Sequence, residues 1–344
     1  MRPQLQAMAT RQGGVVTRRQ CLAVGYTEVE LRGLTAVHGP WVTVRRGVYA
    51  ERDLWDTLTG WDEQARLRDR AVHLAMSTEH VMSHDSAARA LKLPLLRPGL
   101  ELSHITRLGV GGSRTERGVK HHLTRLPLGD TVVVDGMEVT GPARTGVDIA
   151  REHGLAAGIV TLDRVLAAGT PRSALELELL TMWCWPGVRP AREAVARADP
   201  GSESAGESLT RVLLDDMGLG PAQTQFPVSV GGHVYWLDLL VGCHGVEFDG
   251  RQKLRPVERG GLAERPVEDL LWDERARQIA ICGEGLGMSR VSWNDLFGQA
   301  RQRTIERLRR EHAVTVARFG TELPAHLVER AARIRRTSPR RRSA

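Results

Sequence analysis

The chain has 344 residues and a mass of 38.0 kDa, with 41% hydrophobic and 26% charged residues and a formal net charge of +7. These proportions exclude wholesale disorder, collagen and coiled coil, and the length predicts two or three domains. No apolar run approaches the ~18 residues of a membrane span and the first residues lack the apolar core of a signal peptide, so a cytoplasmic location with no membrane partner is expected.

Cys21, Cys184, Cys243 and Cys282 lie far apart without a CxxC pair. That removes zinc-ribbon and dithiol chemistry and predicts buried, reduced thiols. The charge is uneven. Residues 301–344 hold 13 Arg against 4 Glu, a balance of +9, and residues 1–50 carry seven Arg against two Glu, leaving residues 51–300 at −7. Arginine forks at both ends fit a polyanion, with nucleic acid the natural candidate. An Arg-decorated solvated tail is the alternative for the last residues.

In chain order, residues 3–12 read as a helix stopped by Gly13-Gly14, and Val15-Val16 as a short strand. Thr17 caps a helix that Gly25 ends, and Thr27 with Glu30 is a capping box opening a third helix, Glu28 to about Leu34. Trp41–Val44 and Val48–Ala50 read as a hairpin with Arg45 and Arg46 at its tip. This is a winged helix-turn-helix over residues 1–50. Its third helix would present Thr27, Glu28, Glu30 and Arg32 to the major groove, and Arg45 and Arg46 would reach phosphate, beside Arg18 and Arg19 of the N-terminal cluster. The acidic residues are unusual for base readout, and a protein–protein adaptor is the competing use of such a module.

The run from Gly14 through Arg45-Arg46-Gly47-Val48-Tyr49-Ala50 resembles the N-terminal winged-helix domain of AbiEi-family antitoxins of type IV toxin–antitoxin systems. That resemblance implies double-stranded DNA and transcriptional repression, with a toxin or defence-system partner. The segments around His84 (VMSHDSAARAL) and around Arg144 and Asp148 (VTGPARTGVDIAR) resemble the α/β domain that follows that winged helix, here residues 51–195. Thr145 with Asp148 reads as a helix start. His84, His104, His121 and His122 match no common metal spacing and read as packing or surface histidines.

A boundary is expected near residues 186–206. Leu209, Val212, Leu213 and Met217 then mark a helix that Gly218 stops, with Ser204 and Glu207 spelling a capping box. Phe226–Val230, Gly231-Gly232 and His233–Val241 read as a hairpin. With Gly242–Gly245 as a four-residue loop, Val241 faces Val246, Asp238 faces Asp249 and Glu247 faces Leu240. Three carboxylates would share one face, and a hard divalent ion, Mg²⁺ or Mn²⁺, would offset their repulsion. The competing readings are solvent-facing strand residues for Asp238 and Glu247 and turn chemistry for Asp249-Gly250.

This stretch, about residues 203–297, resembles the PD-(D/E)XK nuclease superfamily, in particular the branch related to very-short-patch repair endonucleases. The resemblance implies Glu207, Asp238 and Glu247 as acidic catalytic residues, with Asp238 and Glu247 at the metal-binding positions; Asp249 joins the expected metal ligands through its place on the shared strand face. The superfamily's lysine is replaced by Asp249. Lys253, one of three lysines beside 45 arginines, is the substitute. Arg275, Arg290, Trp293 and Asp295 fall in the closing helix–strand–helix. The expected fold class is therefore α/β (α+β, multi-domain): winged helix 1–50, connecting domain 51–195, nuclease-like domain 196–300 with a mixed sheet flanked by helices, and a basic helical or disordered tail 301–344. Its expected function is DNA binding with Mg²⁺-dependent phosphodiester hydrolysis. The alternative is a regulator or antitoxin keeping an inactive nuclease fold.

Overall fold

A computed structural model describes residues 1–96, 101–127, 129–250, 267–338 and 340. The described residues form a mixed α/β chain with 14 α-helices and three sheets, divided into two units, Met1–Ala198 and Asp199–Ala344. None of the described helices is long and apolar enough to cross a membrane.

The first unit begins with α1 (Pro3–Arg11), β1 (Val15–Thr17), α2 (Arg18–Ala23), α3 (Glu28–Leu34), β2 (Trp41–Arg45) and β3 (Val48–Glu51). Thr17 and Thr27 each accept from the backbone N–H three residues on, and Gln20 and Glu30 return the bond, so both helices open on capping boxes. The strands pair antiparallel in the order β1-β3-β2. Alternation along them separates two packed faces: Val16, Trp41 and Tyr49 join Leu5, Cys21 and Leu31, while Val15, Val48 and Ala50 pack against Leu67 and Ala71.

Those last two residues belong to the following layer: α4 (Arg52–Thr57), α5 (Trp61–Ala75), β4 (Val81–Met82), α6 (His84–Ala90), β5 (Ser103–Thr106), β6 (Arg114–Glu116), β7 (Val119–His122), β8 (Thr131–Val134) and β9 (Met137–Thr140), then α7 (Pro142–His153), α8 (Leu155–Ala167), α9 (Arg172–Thr181) and α10 (Val188–Arg197). The sheet runs β6-β7-β5-β4-β9-β8, with β5 parallel to β7 and β4 parallel to β9. Buried Arg89 forks onto Asp69 at 2.7 and 3.1 Å, so the charge inside this layer is paired. The helix start expected at Thr145 lies four residues earlier, at Gly141-Pro142, where proline's missing N–H is harmless. Thr145 and Asp148 are fully buried inside α7 instead. Of the four cysteines, Cys21 and Cys243 are buried as expected, whereas Cys184 is exposed.

The second unit contains α11 (Ala205–Asp216), β10 (Gln223–Val230), β11 (His233–Val241), β12 (His244–Asp249), α12 (Val267–Gly283), β13 (Gly287–Ser292), a 3₁₀ turn over Trp293–Leu296, α13 (Gly298–Phe319) and α14 (Ala325–Thr337). Strands β10, β11 and β12 are antiparallel neighbours, and β13 adds to β12 in parallel, so the connection carrying α12 is the crossover that parallel pairing requires. Val230 faces His233 across Gly231-Gly232, both left-handed at φ 57° and 83°, as a type I′ turn demands. Much of the segment expected as a tail is packed helix. Leu327 and Ala331 of α14 join Phe226, Leu237 and Ile281 in the core of this unit.

The second connection corrects the expected register. Val241 faces His244 and Leu239 faces Val246, because Gly242, at φ 55°, and Cys243 form a two-residue turn. Continuing that ladder sets Asp238 across from Glu247 rather than Asp249. His244 is drawn into the strand by its buried ring, which bonds Thr315 Oγ1 at 2.7 Å and Ser289 Oγ at 2.8 Å.

Helix α11 lies so close to β12 that a Cβ on Gly206 would collide with the Phe248 ring. Gly206→Ala is expected to lower stability by about 1–3 kcal/mol in urea unfolding. Gly283→Ala, where a Cβ meets nothing within 4 Å, should stay within about 0.5 kcal/mol of the parent.

Candidate functional site

Glu207, Asp238 and Glu247 stand on three adjoining elements, α11, β11 and β12. Ser204 caps α11 by accepting from the Glu207 N–H at 3.2 Å and returns its hydroxyl proton to Glu207 Oε1 at 2.9 Å. Glu207 Oε2 accepts from the Glu203 N–H at 2.8 Å and from Gln225 Nε2 at 3.1 Å. Capping therefore positions Glu207 without exhausting its role, because burial and the charge of Asp238 push its carboxyl up to about 7.

Gln225 is a donor that the residue pattern did not single out. It sits at φ 49°, left-handed for a non-glycine residue, in the gap of the β10–β11 ladder between Thr224↔Leu239 and Phe226↔Leu237. Such a conformation costs about 1–3 kcal/mol and persists only where surroundings over-determine it. Here the irregularity falls opposite Asp238 and aims the amide at Glu207.

Asp238 Oδ2 accepts from the Phe248 N–H at 3.0 Å, which ties β11 to β12 beyond the last backbone pair. Burial raises the Glu247 carboxyl, with Asp238 adding to the shift and Arg277 opposing it. Arg277 grips both Glu247 oxygens, reaches Glu274 at 3.1 Å and donates to the Trp236 carbonyl at 3.2 Å. Arg290, facing Glu247 from β13, pairs with the same Glu274. The charge of Glu247 is thus offset by the Arg277 guanidinium. Arg275 and Arg290 are the two arginines of this stretch that the nuclease resemblance picks out. Arg275 is exposed, and Arg277, three residues after Glu274 on α12, is the residue that reaches the strand. Asp295 closes a capping box on Ser292, and Trp293 meets Phe248 edge-on at 5.4 Å.

Asp249 is half-buried across from Ser292, and Lys253 lies outside the described residues. Asp238, Glu247 and Asp249 do not bring one oxygen each within 4.8 Å of one another. Among the described residues, only His84, His104 and His122 do so with their ring nitrogens.

In the first unit, Arg18, Arg19, Thr27, Arg32 and Arg46 are exposed, and Arg45 is half-buried with its Nη1 donating to the Arg117 carbonyl at 3.0 Å. The acidic residues of α3 are engaged locally: Glu28 pairs with Arg18, and Glu30 caps Thr27 and meets Arg2 at 3.4 Å. The exposed surface of α3 is therefore less acidic than its residue types suggest.

No family model matches the chain. Two uncharacterized proteins of Mycobacterium tuberculosis, from strains CDC 1551 / Oshkosh and ATCC 25618 / H37Rv, are each 34% identical to it over 104 residues. The match covers 30% of this chain and 38% of theirs.

Because the folded-state value of Glu207 lies above the ordinary 4.5, its favourable protonation is present at low pH and is lost as pH rises through about 7. The stability of Glu207→Gln relative to wild type should therefore rise between pH 5 and pH 8, by up to about 3 kcal/mol. Urea unfolding at a series of pH values measures it, and a pH-independent difference is the contrary result.

Proposed function

We propose that this chain is a DNA-binding protein whose second unit is a metal-dependent, nuclease-like module acting on phosphodiester bonds. The observation that carries this reading is the place of Asp238 between Glu207 and Glu247, two buried carboxyls whose proton affinities it raises. Side chains that repel in this way are held ready for a cation. The order of elements supports the same reading: a helix bearing Glu207 is followed by a strand bearing Asp238, the Glu-x-Asp-Gly strand, a crossover helix and a parallel strand.

The donor set fits a hard divalent ion, since it is all oxygen with no His or Cys among it. Asp238 and Glu247, the two acidic residues facing each other from β11 and β12, would hold Mg²⁺ or Mn²⁺ as a pair, because no three of these carboxylates bring one oxygen each within 4.8 Å of one another, and a bound ion of this kind polarises a phosphodiester and lowers the pKa of a water. The chain's own contribution is positional. Ser204 and Gln225 fix the Glu207 carboxyl, the Phe248 N–H fixes Asp238, and Arg277 has to release at least one oxygen of Glu247. In the first unit, α3 reads the major groove, and Arg18, Arg19 and Arg46 contact phosphate.

A second reading is favoured by Arg277 itself. A guanidinium already satisfies Glu247, and Asp249 stands where the superfamily has lysine, as in a regulator or antitoxin that keeps the fold as a binding module. Incubation of plasmid and short duplexes with Mg²⁺ or Mn²⁺ separates the two. Cutting that falls by at least about 100-fold in Asp238→Ala and Glu247→Ala supports hydrolysis, and intact DNA, or equal cutting by the variants, rejects it.

DNA docking makes its own prediction. Replacing Arg18, Arg19 and Arg46 with alanine should weaken duplex binding and flatten the salt dependence, by about 0.9 in the log–log slope for each phosphate that is no longer neutralised. An unchanged slope would remove the winged module from the interface.

A further inference from the structure

We infer that His84, His104 and His122 form a binding site for a divalent first-row transition ion of the zinc type, with one coordination position open to a neighbouring cavity. The three residues are 20 and 18 positions apart in the chain, and the fold gathers them. His104 lies on β5 and His122 on its parallel neighbour β7, with His122 facing Thr106, so both point to one side of the sheet. His84 opens α6 from a left-handed backbone at φ 48°, a strained conformation that turns its ring onto the same spot.

The nitrogen separations are within a metal's reach, and coordination requires the His84 and His122 rings, stacked face to face at 3.7 Å, to tilt so that their nitrogens converge. His104 Nδ1 and His122 Nε2 face each other at 3.1 Å, and one nitrogen from each of the three rings lies within 4.8 Å of the others. Two zinc–nitrogen bonds of about 2.0–2.1 Å at a tetrahedral angle place their nitrogens about 3.3 Å apart. His84 and His104 are buried and His122 is half-buried, and a neutral imidazole keeps one ring nitrogen lone pair to donate to a metal.

Carboxylates stand behind the rings, where metal-bound imidazoles characteristically have them. Asp85 Oδ2 lies 3.9 Å from His104 Nε2, is fully buried, and has no hydrogen-bond partner among the described residues. Its other oxygen accepts from His153 Nε2 at 2.6 Å. Metal ligation through His104 Nδ1 places the ring proton on Nε2, facing that orphaned oxygen. Asp148 Oδ1 lies 3.9 Å from His84 Nε2 and accepts from Arg151 Nη1, while its Oδ2 accepts from Arg144 Nε.

His84 and His122, but not His104, border a cavity of about 480 Å³ that Thr106, Lys120, Arg144 and Trp185 also line. Buried Arg144 keeps an Nη2 without a hydrogen-bond partner among the described residues. Three protein ligands with a fourth position facing such a cavity is the arrangement of a site that exchanges water or an anion, as opposed to a closed structural site.

The test uses the tag-free full chain, stripped with a chelator and titrated with Zn²⁺ against a chromophoric competitor, with Co²⁺ as a spectroscopic probe. About one Zn²⁺ per chain should bind at submicromolar Kd. His122→Gln, the most accessible ligand, should weaken binding at least about 100-fold, and Asp85→Asn by about 10–100-fold. Asp238→Asn/Glu247→Gln should leave it unchanged, which separates this site from the carboxylates. Co²⁺ on the parent protein should give the intense visible bands of a four- or five-coordinate, nitrogen-rich site, a readout that survives if a variant does not fold. Failure of the parent to bind Zn²⁺ stoichiometrically, weak six-coordinate Co²⁺ bands, or undiminished affinity in folded His122→Gln would each overturn the assignment.

Discussion

A two-residue turn at Gly242-Cys243 decides the chemistry of the second unit, because it sets Asp238 across from Glu247 in a sheet whose other neighbours are buried and apolar. A carboxylate pair across a ladder is repulsive. The structure accommodates it by spending donors: the Phe248 N–H on Asp238, Arg277 on Glu247, and Ser204, Gln225 and the Glu203 N–H on Glu207. What remains unbalanced is concentrated on Glu207, whose carboxyl is pushed to about 7. Gathering this charge costs the fold stability, and that cost is the physical ground of the functional proposal made for these residues.

The local rules of capping and turns were legible in the residues. Thr17, Thr27 and Ser204 cap the helices expected of them, and Gly231-Gly232 makes the tight turn that joins β10 to β11. Where a local rule had two solutions, it misled. Thr145 with Asp148 imitates a capping box, yet Gly141-Pro142 starts the helix. Gly242 and Gly245 imitate the two ends of a loop, yet Gly245 lies inside β12, where a Cβ would approach Leu237 at 3.2 Å. His244 is recruited by Thr315 and Ser289, partners 71 and 45 residues away that no window of sequence contains.

Distance along the chain also hid the histidines and the C-terminal helices. His84, His104 and His122 show no ligand spacing because a helix start and two parallel strands, rather than one motif, bring them together. Residues 301–338 look like a basic tail by charge, while Leu308, Leu327, Ala331 and Ile334 supply a thin apolar stripe that is buried against the second unit. The arginines on those helices mask a packing surface. The Arg-rich composition and the core are two faces of the same elements.

The most direct measurement is a carboxyl ¹³C NMR titration of the full chain labelled at Asp and Glu. The account predicts a resonance titrating near pH 7 that vanishes in Glu207→Gln, moves toward the ordinary range when Asp238 is replaced by Asn, and falls when Mg²⁺ is added. If the resonance lost in Glu207→Gln titrates in the ordinary range, with or without Asp238, the three side chains do not share a field, and the acidic cluster is no site at all.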